Sequence, residues 1–216
     1  DGIKNTLSGV YEIGHSSREL KTDGSEDGLA TIPYAIDGIA IILHQDNQIS
    51  NLTKEQLKDI YTGKITNWSE LGGKDAPITV ITREAGSGTR GAFAEIIGLE
   101  KKDSNGNITP ETMIVQTATI ADNTGAVQTT VAQNPNSIGY MSFSDVDTTK
   151  VKMAQYEGGA ISVDALKDGS YKLKREFLML TKTDAALSPA AEEFIAFVLS
   201  EEGQQIIADN KLIPTK

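Results

Sequence analysis

The sequence of 216 residues contains no cysteine, one tryptophan and only two histidines. The lack of cysteine excludes disulfides, thiolate metal sites and a cysteine nucleophile within this chain. His15 and His44 lie far apart and show no metal-ligand spacing, so we expect no histidine-based metal site. The longest apolar run covers residues 39–43 and is far shorter than the ~20 residues that span a bilayer.

Basic residues are also scarce, with 20 Lys and Arg against 30 Asp and Glu and a formal net charge of −10. A surface of this sign repels the phosphates of nucleic acid and has no attraction for anionic lipid. The hydrophobic fraction of 38% and the charged fraction of 23% are ordinary for a globular protein. We therefore predict a globular protein that binds neither nucleic acid nor a membrane surface and carries no cofactor.

Predicted strands and helices alternate along the chain, which is typical of an α/β architecture. The run at residues 39–43 predicts a strand buried on both faces, as in a parallel sheet. The capping-box spacing of Thr53 and Gln56 predicts a helix that begins at residue 53. The remaining patterns predict strands at 10–13, 78–82, 137–143, 151–156 and 176–181, a polar loop at 101–112, helices at 89–97 and 123–133, and one long amphipathic helix from Pro189 through Ile207.

The most informative stretch, residues 83–90, connects a predicted strand directly to the start of a predicted helix. The free backbone N–H groups of a first helical turn form an anion site, and glycines let a ligand approach the backbone closely. Hydroxyl groups add donors, and an arginine fork binds two oxygens. The residues of these types in the stretch are Arg83, Gly86, Ser87, Gly88, Thr89 and Arg90.

Of three other interpretations of residues 83–90, one stays open and two are excluded. A tight strand-to-helix turn with Ser or Thr as a helix cap stays open as an alternative. A Walker A loop is excluded because the stretch has no Gly-Lys-Ser/Thr ending. A nucleophile elbow is excluded because Ala85 stands where that motif needs glycine. No histidine or acid pair is spaced to complete a catalytic triad, so we predict that the chain is not an enzyme.

A second polar turn, residues 14–18, follows the first predicted strand and reads Gly-His-Ser-Ser-Arg. In a parallel sheet, ligands gather at the carboxyl ends of the strands, where both turns would lie. Ser16 and Ser17 are therefore candidate anion ligands, although they could instead cap a short helix at residues 19–21. We expect His15 to be structural or exposed and not a ligand, and Trp68 to seal a small core.

The chain resembles the phosphate-binding proteins of bacterial phosphate ABC importers, which are type II periplasmic solute-binding proteins. The stretch at residues 83–90 is the most specific part of this resemblance, and the Ser-Ser-Arg turn is similar to the Gram-positive branch. Further matching motifs lie at residues 1–4, 13–18, 38–40, 60–68, 137–140 and 212–214.

This resemblance implies an α/β fold of two lobes, with mixed, mostly parallel sheets, helices on both faces and two hinge strands. An inorganic phosphate would be captured between the lobes and delivered to the transmembrane subunits of an ABC permease. We expect one lobe to comprise residues 1–42 and 178–216 and the other residues 43–177. The expected phosphate ligands are Ser16, Ser17, Arg83, Ser87, Gly88 and Thr89, supported by Arg18, Gly86 and Arg90.

Two departures from the family pattern modify these expectations. Ser17 stands where many relatives have an aspartate that accepts the proton of hydrogen-phosphate, which weakens the implied rejection of sulfate. Relatives also begin with a strand, a helix and a second strand that this sequence lacks, so we expect a truncated or processed chain. The resemblance implies an extracytoplasmic or periplasmic location, in Gram-positive relatives as a lipoprotein whose modified cysteine is absent here.

Phosphate is the leading hypothesis for the ligand, and three alternatives stay open. The chain could bind another tetrahedral oxyanion such as sulfate or molybdate. It could be an enzyme acting on a phosphoester, although the required metal or nucleophile set is missing from the sequence. It could also be a fragment of a lobe that no longer binds an anion.

Overall fold

The computed structural model describes residues 1–21, 23–102 and 108–215. Its α-helices are α1 (Gly2–Leu7), α2 (Lys54–Tyr61), α3 (Gly88–Ile97), α4 (Thr124–Gln133), α5 (Val163–Lys167), α6 (Pro189–Val198) and α7 (Glu201–Asp209). Its strands are β1 (Gly14–Ser16), β2 (Leu29–His44), β3 (Asn51–Leu52), β4 (Thr79–Arg83), β5 (Glu100–Lys102), β6 (Ile108–Thr112), β7 (Thr119–Ala121), β8 (Ser137–Ser142), β9 (Val151–Tyr156), β10 (Lys174–Lys182) and β11 (Ile213–Pro214).

The chain divides into two compact units, which we call the terminal unit and the central unit. The terminal unit comprises Asp1–Asp37 and Lys174–Lys216, and the central unit comprises Gly38–Leu173. Strand β2 passes through the first boundary, and β10 begins at the second. The sequence-based division placed these boundaries a few residues later, at 42/43 and 177/178.

The terminal unit is built on β1, β10, the first half of β2, and β11. Strand β1 pairs antiparallel with β10, and β11 pairs antiparallel with β2. Helix α1 packs very closely on β1, since a Cβ atom added at Gly14 would lie 2.0 Å from Thr6 Oγ1. This close approach is possible only with glycine at residue 14.

A buried ion pair lies in the terminal unit beside both unit boundaries. Arg175 donates through Nε and Nη2 to Asp37 Oδ2, at 3.1 and 2.8 Å, and also stacks over the ring of Phe177. The side chain of Asp37 is fully buried and that of Arg175 is 7% exposed. Removal of either partner would leave an uncompensated buried charge, which is strongly destabilising.

The central unit contains the second half of β2 between β8 and β9, and extends through β8 to β4 and β7. Strand β4 is parallel to both β7 and β8. The predicted apolar run of β2 is fully buried here. An aromatic cluster completes the core, with the rings of Phe93 and Tyr140 stacked 4.0 Å apart and Tyr61 against both. Trp68 is buried beside its short 3-10 helix, as predicted.

The α/β class and the mixed sheet are confirmed, but the expected predominance of parallel pairing needs correction. Strand β2 pairs antiparallel with β8, β9 and β11. Parallel pairs join β4 to β7 and β8, and β3 to β9. A continuous apolar run reports burial on both faces of a strand, and it carries no information about the direction of the neighbouring strands.

Two predicted elements near the ends of the chain are also wrong. Residues 10–13 are not a strand, because the N–H groups of Val10 and Tyr11 donate to Asn5 O and hold this segment against the end of α1. The long helix predicted from Pro189 is two helices, α6 and α7. The second helix begins at Ser200, whose Oγ accepts from Gly203 N at 3.2 Å and caps α7.

The predicted loop at residues 101–112 contains strand residues at both ends. Strands β5 and β6 pair antiparallel as a separate two-stranded sheet, with Glu100 opposite Thr112. The rest of that prediction, residues 103–107, lies outside the described residues. Polar composition alone therefore did not distinguish a short hairpin from a loop.

Candidate functional site

Arg83 is the last residue of β4, and it lies at the end of the central unit's sheet where two helices begin. The β-branched residues of β4 are half or fully buried, which is typical of an interior strand. Because β4 and β7 are parallel, their carboxyl ends lie side by side, and α3 and α4 follow from these ends. The N–H-rich starts of both helices therefore lie at one edge of the sheet.

The start of α3 offers backbone and hydroxyl donors. Ser87 caps the helix: its Oγ accepts from Arg90 N at 3.2 Å, and its carbonyl accepts from Gly91 N at 3.0 Å. The next two N–H groups, of Gly88 and Thr89, have no acceptor among the described residues. Ser87 and Thr89 are 7% and 6% exposed, so their hydroxyl groups are largely withdrawn from water.

The glycine at residue 86 is not required by the fold of this loop. A Cβ atom added at Gly86 would meet no described atom of the chain within 4 Å, and the backbone there is not left-handed. The space beside Gly86 is therefore open, as the sequence interpretation of close ligand approach requires.

The guanidinium of Arg83 is held in place and still has free donors. It forms a two-pronged ion pair with Glu84, with Nε at 2.8 Å from Oε2 and Nη2 at 2.9 Å from Oε1. A third N–H, on Nη1, donates to Thr124 Oγ1 at 3.2 Å. A guanidinium has five N–H groups, so one remains on each terminal nitrogen. Arg83 can therefore donate to two oxygens of an anion without breaking these contacts.

The charged side chains Arg83, Glu84 and Arg90 leave this edge with one net positive charge. Hydrogen bonds from Arg83 lower the pKa of Glu84, so the Glu84 carboxylate is ionised at neutral pH and offsets the Arg83 charge. Arg90 adds a second positive charge in the first turn of α3. Its Nη2 donates to Thr112 Oγ1 at 3.1 Å, while its buried Nε has no partner among the described residues.

Three supporting residues at this edge were not recognised from the sequence. Glu84 lies inside the motif but was given no role, and Tyr140 was interpreted only as core. The Tyr140 hydroxyl lies 2.8 Å from Thr82 Oγ1, and burial raises its pKa, so it stays neutral. Thr124 could have been found if β7 had been predicted, because the residue then follows the carboxyl end of a parallel neighbour of β4.

In the terminal unit, Ser16 and Arg18 of the Ser-Ser-Arg turn already form hydrogen bonds with nearby residues of the same chain. Ser16 Oγ donates to Arg18 O at 2.7 Å, which uses its single proton, and accepts from Arg18 N at 3.3 Å. The Arg18 guanidinium forms a two-pronged pair with Glu26, at 3.0 and 2.6 Å. Ser17 is half-buried, and its hydroxyl has no partner among the described residues.

Each histidine contacts a nearby group in the described part of the chain. His15 is exposed and packs edge-on against Tyr34 at 5.6 Å, and partial desolvation lowers its pKa. His44 Nδ1 accepts from Asp46 N at 3.1 Å. Within residues 1–21, 23–102 and 108–215, no three His, Asp or Glu side chains are grouped to hold a metal ion. No helix among these residues is long and apolar enough to cross a membrane.

Comparisons with known proteins identify the family of the chain. A family model, the PBP superfamily domain, matches residues 1–202. A phosphate ABC transporter substrate-binding protein from Clostridium perfringens, crystallised with bound phosphate, is 45% identical, with a TM-score of 0.87 over 100% of this chain and 84% of that one. The chain belongs to the PBP superfamily, among its PstS-like substrate-binding proteins. The type II fold expected from the motifs is thereby confirmed.

Relatives with curated names extend the comparison. The phosphate-binding protein PstS of Bacillus subtilis is 30% identical over 99% of this chain and 67% of that relative. PstS 2 of Streptococcus pneumoniae serotype 4 is 42% identical over 139 residues. The matched part of this chain spans about half the length of the streptococcal relatives, 46% for that protein and 45% for PstS 2 of Streptococcus agalactiae.

Proposed function

We propose that this chain binds inorganic phosphate as the substrate-binding component of an ABC importer. The observation that carries the proposal is the set of free donors at the start of α3. Two backbone N–H groups, two largely buried hydroxyl groups and two remaining N–H groups of Arg83 belong to one short stretch of the central unit. Neutral donors combined with a single charge-paired arginine suit a tetrahedral oxyanion.

The similarity to the Clostridium perfringens protein supports phosphate over the other oxyanions. That relative is 45% identical and was crystallised with bound phosphate. Sulfate, molybdate and phosphoester chemistry are not favoured by any of the relatives named above. The relatives named above are called substrate-binding or phosphate-binding proteins, which supports the proposed binding role.

The contribution of the terminal unit is a further part of the proposal. We predict that Ser17 adds its free hydroxyl to the anion-binding set, and that the two compact units serve as the two lobes. The permease partner and an extracytoplasmic location follow from the proposed transport role. A lipid anchor of the type found in Gram-positive relatives needs a cysteine, and these 216 residues contain none.

Calorimetric titration of the 216-residue chain with phosphate, sulfate and molybdate tests the proposal directly. We expect saturable binding of phosphate with a stoichiometry of one, and weaker binding of sulfate and molybdate. Arg83→Ala should reduce the phosphate affinity, while Lys64→Ala, which removes only an exposed ion pair with Asp59, should not. Absence of phosphate binding at millimolar concentration, or equal binding of sulfate, would overturn the proposal.

A further inference from the structure

The turn at residues 16–18 is tied to a residue eight positions further along the chain. Glu26 accepts from both terminal nitrogens of Arg18, at 3.0 and 2.6 Å, and from the backbone N–H of Lys21 at 2.8 Å. Arg18 Nη1 also donates to Glu19 O at 2.7 Å. One carboxylate therefore accepts three hydrogen bonds from two residues of the same loop.

Glu26 is a buried charge in a chain segment that otherwise looks like a polar surface loop. The residue is 8% exposed, and acidic residues are rarely buried unless they are paired. Burial alone would raise its pKa, but hydrogen bonds from Arg18 and Lys21 N–H, together with the charge of Arg18, lower it. The carboxylate is therefore ionised and paired at neutral pH.

These contacts decide which donors of the turn are free. The proton of Ser16 is used on Arg18 O, and three of the five N–H groups of Arg18 are used on Glu26 and on Glu19 O. Ser17 lies between these two fixed residues, and its hydroxyl has no partner among the described residues. The loop therefore fixes the backbone on both sides of one free hydroxyl group.

We propose that Glu26 is a positioning residue that acts through Arg18, holding the turn so that the Ser17 hydroxyl is presented to the bound anion. This inference rests on the proposed function, because it assigns Ser17 to the anion. In this arrangement Arg18 braces the turn through its pair with Glu26. Charge-assisted, two-pronged pairs of this kind add geometric specificity as well as energy.

The competing interpretation makes the opposite prediction. If Glu26 only occupied an arginine that could otherwise bind phosphate, its removal would release Arg18 toward the anion. Phosphate affinity would then rise in Glu26→Gln. If Glu26 braces the turn, affinity falls, because Ser17 loses its fixed position and the anion must order the loop on binding.

Phosphate titration of the 216-residue chain and four variants tests the brace. We expect Glu26→Gln and Arg18→Ala each to lower affinity about fivefold, and the double variant to lower it by no more than either single change, since the pair acts as one unit. The charge-swapped variant Arg18→Glu/Glu26→Arg should recover at least half of this loss. Lys64→Ala is the matched control, because it removes an exposed ion pair of the central unit.

Amide hydrogen exchange gives a readout that needs no phosphate. The Lys21 N–H donates to Glu26, so its exchange should accelerate about tenfold in Glu26→Gln and return toward the original rate in the swapped variant. Unchanged exchange, or unchanged or tighter phosphate binding, in Glu26→Gln would overturn the inference. If the unaltered chain binds no phosphate, the proposed function and the role of Ser17 both fail, while the exchange rates still decide whether Glu26 braces the turn.

Discussion

The loop after β4 and the turn after β1 contain the same kinds of residue and use them differently. Each combines an arginine with one or more serines at the end of a strand. After β4, Arg83 is paired with its neighbour Glu84 and retains one free N–H on each terminal nitrogen. After β1, Arg18 is paired with the distant Glu26 through one N–H of each terminal nitrogen, and the second N–H of Nη1 donates to Glu19 O, so its unused N–H groups are on Nε and Nη2.

The serines of the two segments differ in the direction of their hydrogen bonds. Ser87 accepts from a helix N–H, so its own proton remains available for an anion. Ser16 donates its proton to the backbone of Arg18 and keeps only acceptor capacity. The Ser87 hydroxyl can therefore still donate to a bound anion, and the Ser16 hydroxyl cannot. An anion needs donors, so we expect the loop after β4 to dominate binding.

Replacement of Arg83 or of Arg18 should change phosphate affinity most, and the two variants test directly whether the segments differ. Loss of a charge-assisted hydrogen bond costs about 1.5–3 kcal/mol, so Arg83→Ala should lower phosphate affinity at least tenfold in calorimetric titration. Arg18→Ala should have the smaller, roughly fivefold effect of a lost brace. Equal effects, or a larger effect at Arg18, would show that the terminal turn carries the charge that binds the anion.

Ser87→Ala should affect both binding and stability. Loss of a serine N-cap costs about 1 kcal/mol of stability, and loss of a hydroxyl donor should lower phosphate affinity about fivefold. Ser162→Ala is a matched control, because Ser162 Oγ caps α5 of the same unit by accepting from Ala165 N at 3.1 Å. We expect similar losses of thermal stability in the two variants and loss of affinity only in Ser87→Ala. Reduced affinity in both would mean that the effect is general to the unit.

The two serines of the terminal turn give a finer comparison. Ser17→Ala removes a hydroxyl that has no partner among the described residues, and a neutral hydrogen bond contributes about 0.5–1.5 kcal/mol, so affinity should fall about fivefold, as in the brace variants that act through this hydroxyl. Ser16→Ala removes a hydroxyl whose proton is already used within the chain, so its effect on affinity should be smaller. Titration of both variants with phosphate checks the order. The reverse order would exchange the roles of these two residues.

Much of the central site was predictable because its signals are local. The order strand, small residues, helix start in residues 79–97 follows from hydrophobic pattern, glycine and a serine cap, all within a few positions. The motif also brought the relevant arginine and hydroxyl groups together in the sequence. The structure has Arg83 as the last residue of β4, Ser87 as the N-cap of α3, and Gly88 and Thr89 in its first turn, while their role as anion ligands stays a prediction.

The features that sequence analysis missed depend on partners distant in the chain. Glu26 contacts Arg18 across a polar loop, and Thr124 contacts Arg83 across 41 positions. Neither pairing produces a periodic pattern in the sequence, because glutamate and threonine are residue types that are common on any protein surface. Strand direction was missed for a similar reason, since burial of β2 on both faces does not report how its neighbours run.

Acid titration of Glu84 and Glu26 is expected to give the smallest effect. Hydrogen bonds from Arg83 lower the pKa of Glu84 from its ordinary value of 4.5, and contacts with Arg18 and Lys21 N–H lower the pKa of Glu26 despite its burial. A carboxylate with a depressed pKa in the folded state contributes fully above its ordinary value, and the contribution is lost as the pH falls through the depressed pKa. Between pH 8 and pH 5 we therefore expect no change in either pair.

Arginine side-chain NMR signals followed from pH 6 to pH 3 check this expectation. The Nε–H signal of Arg83 should change with a midpoint below pH 4.5, and the terminal N–H signals of Arg18 should do the same. In Glu84→Gln the transition at Arg83 should disappear while that at Arg18 remains, and Glu26→Gln should show the converse, since each carboxylate serves only its own arginine. A midpoint at or above 4.5, or loss of both transitions in either variant, would contradict two separately braced arginines. Circular dichroism over the same range separates these local transitions from acid unfolding, which would shift both arginines together.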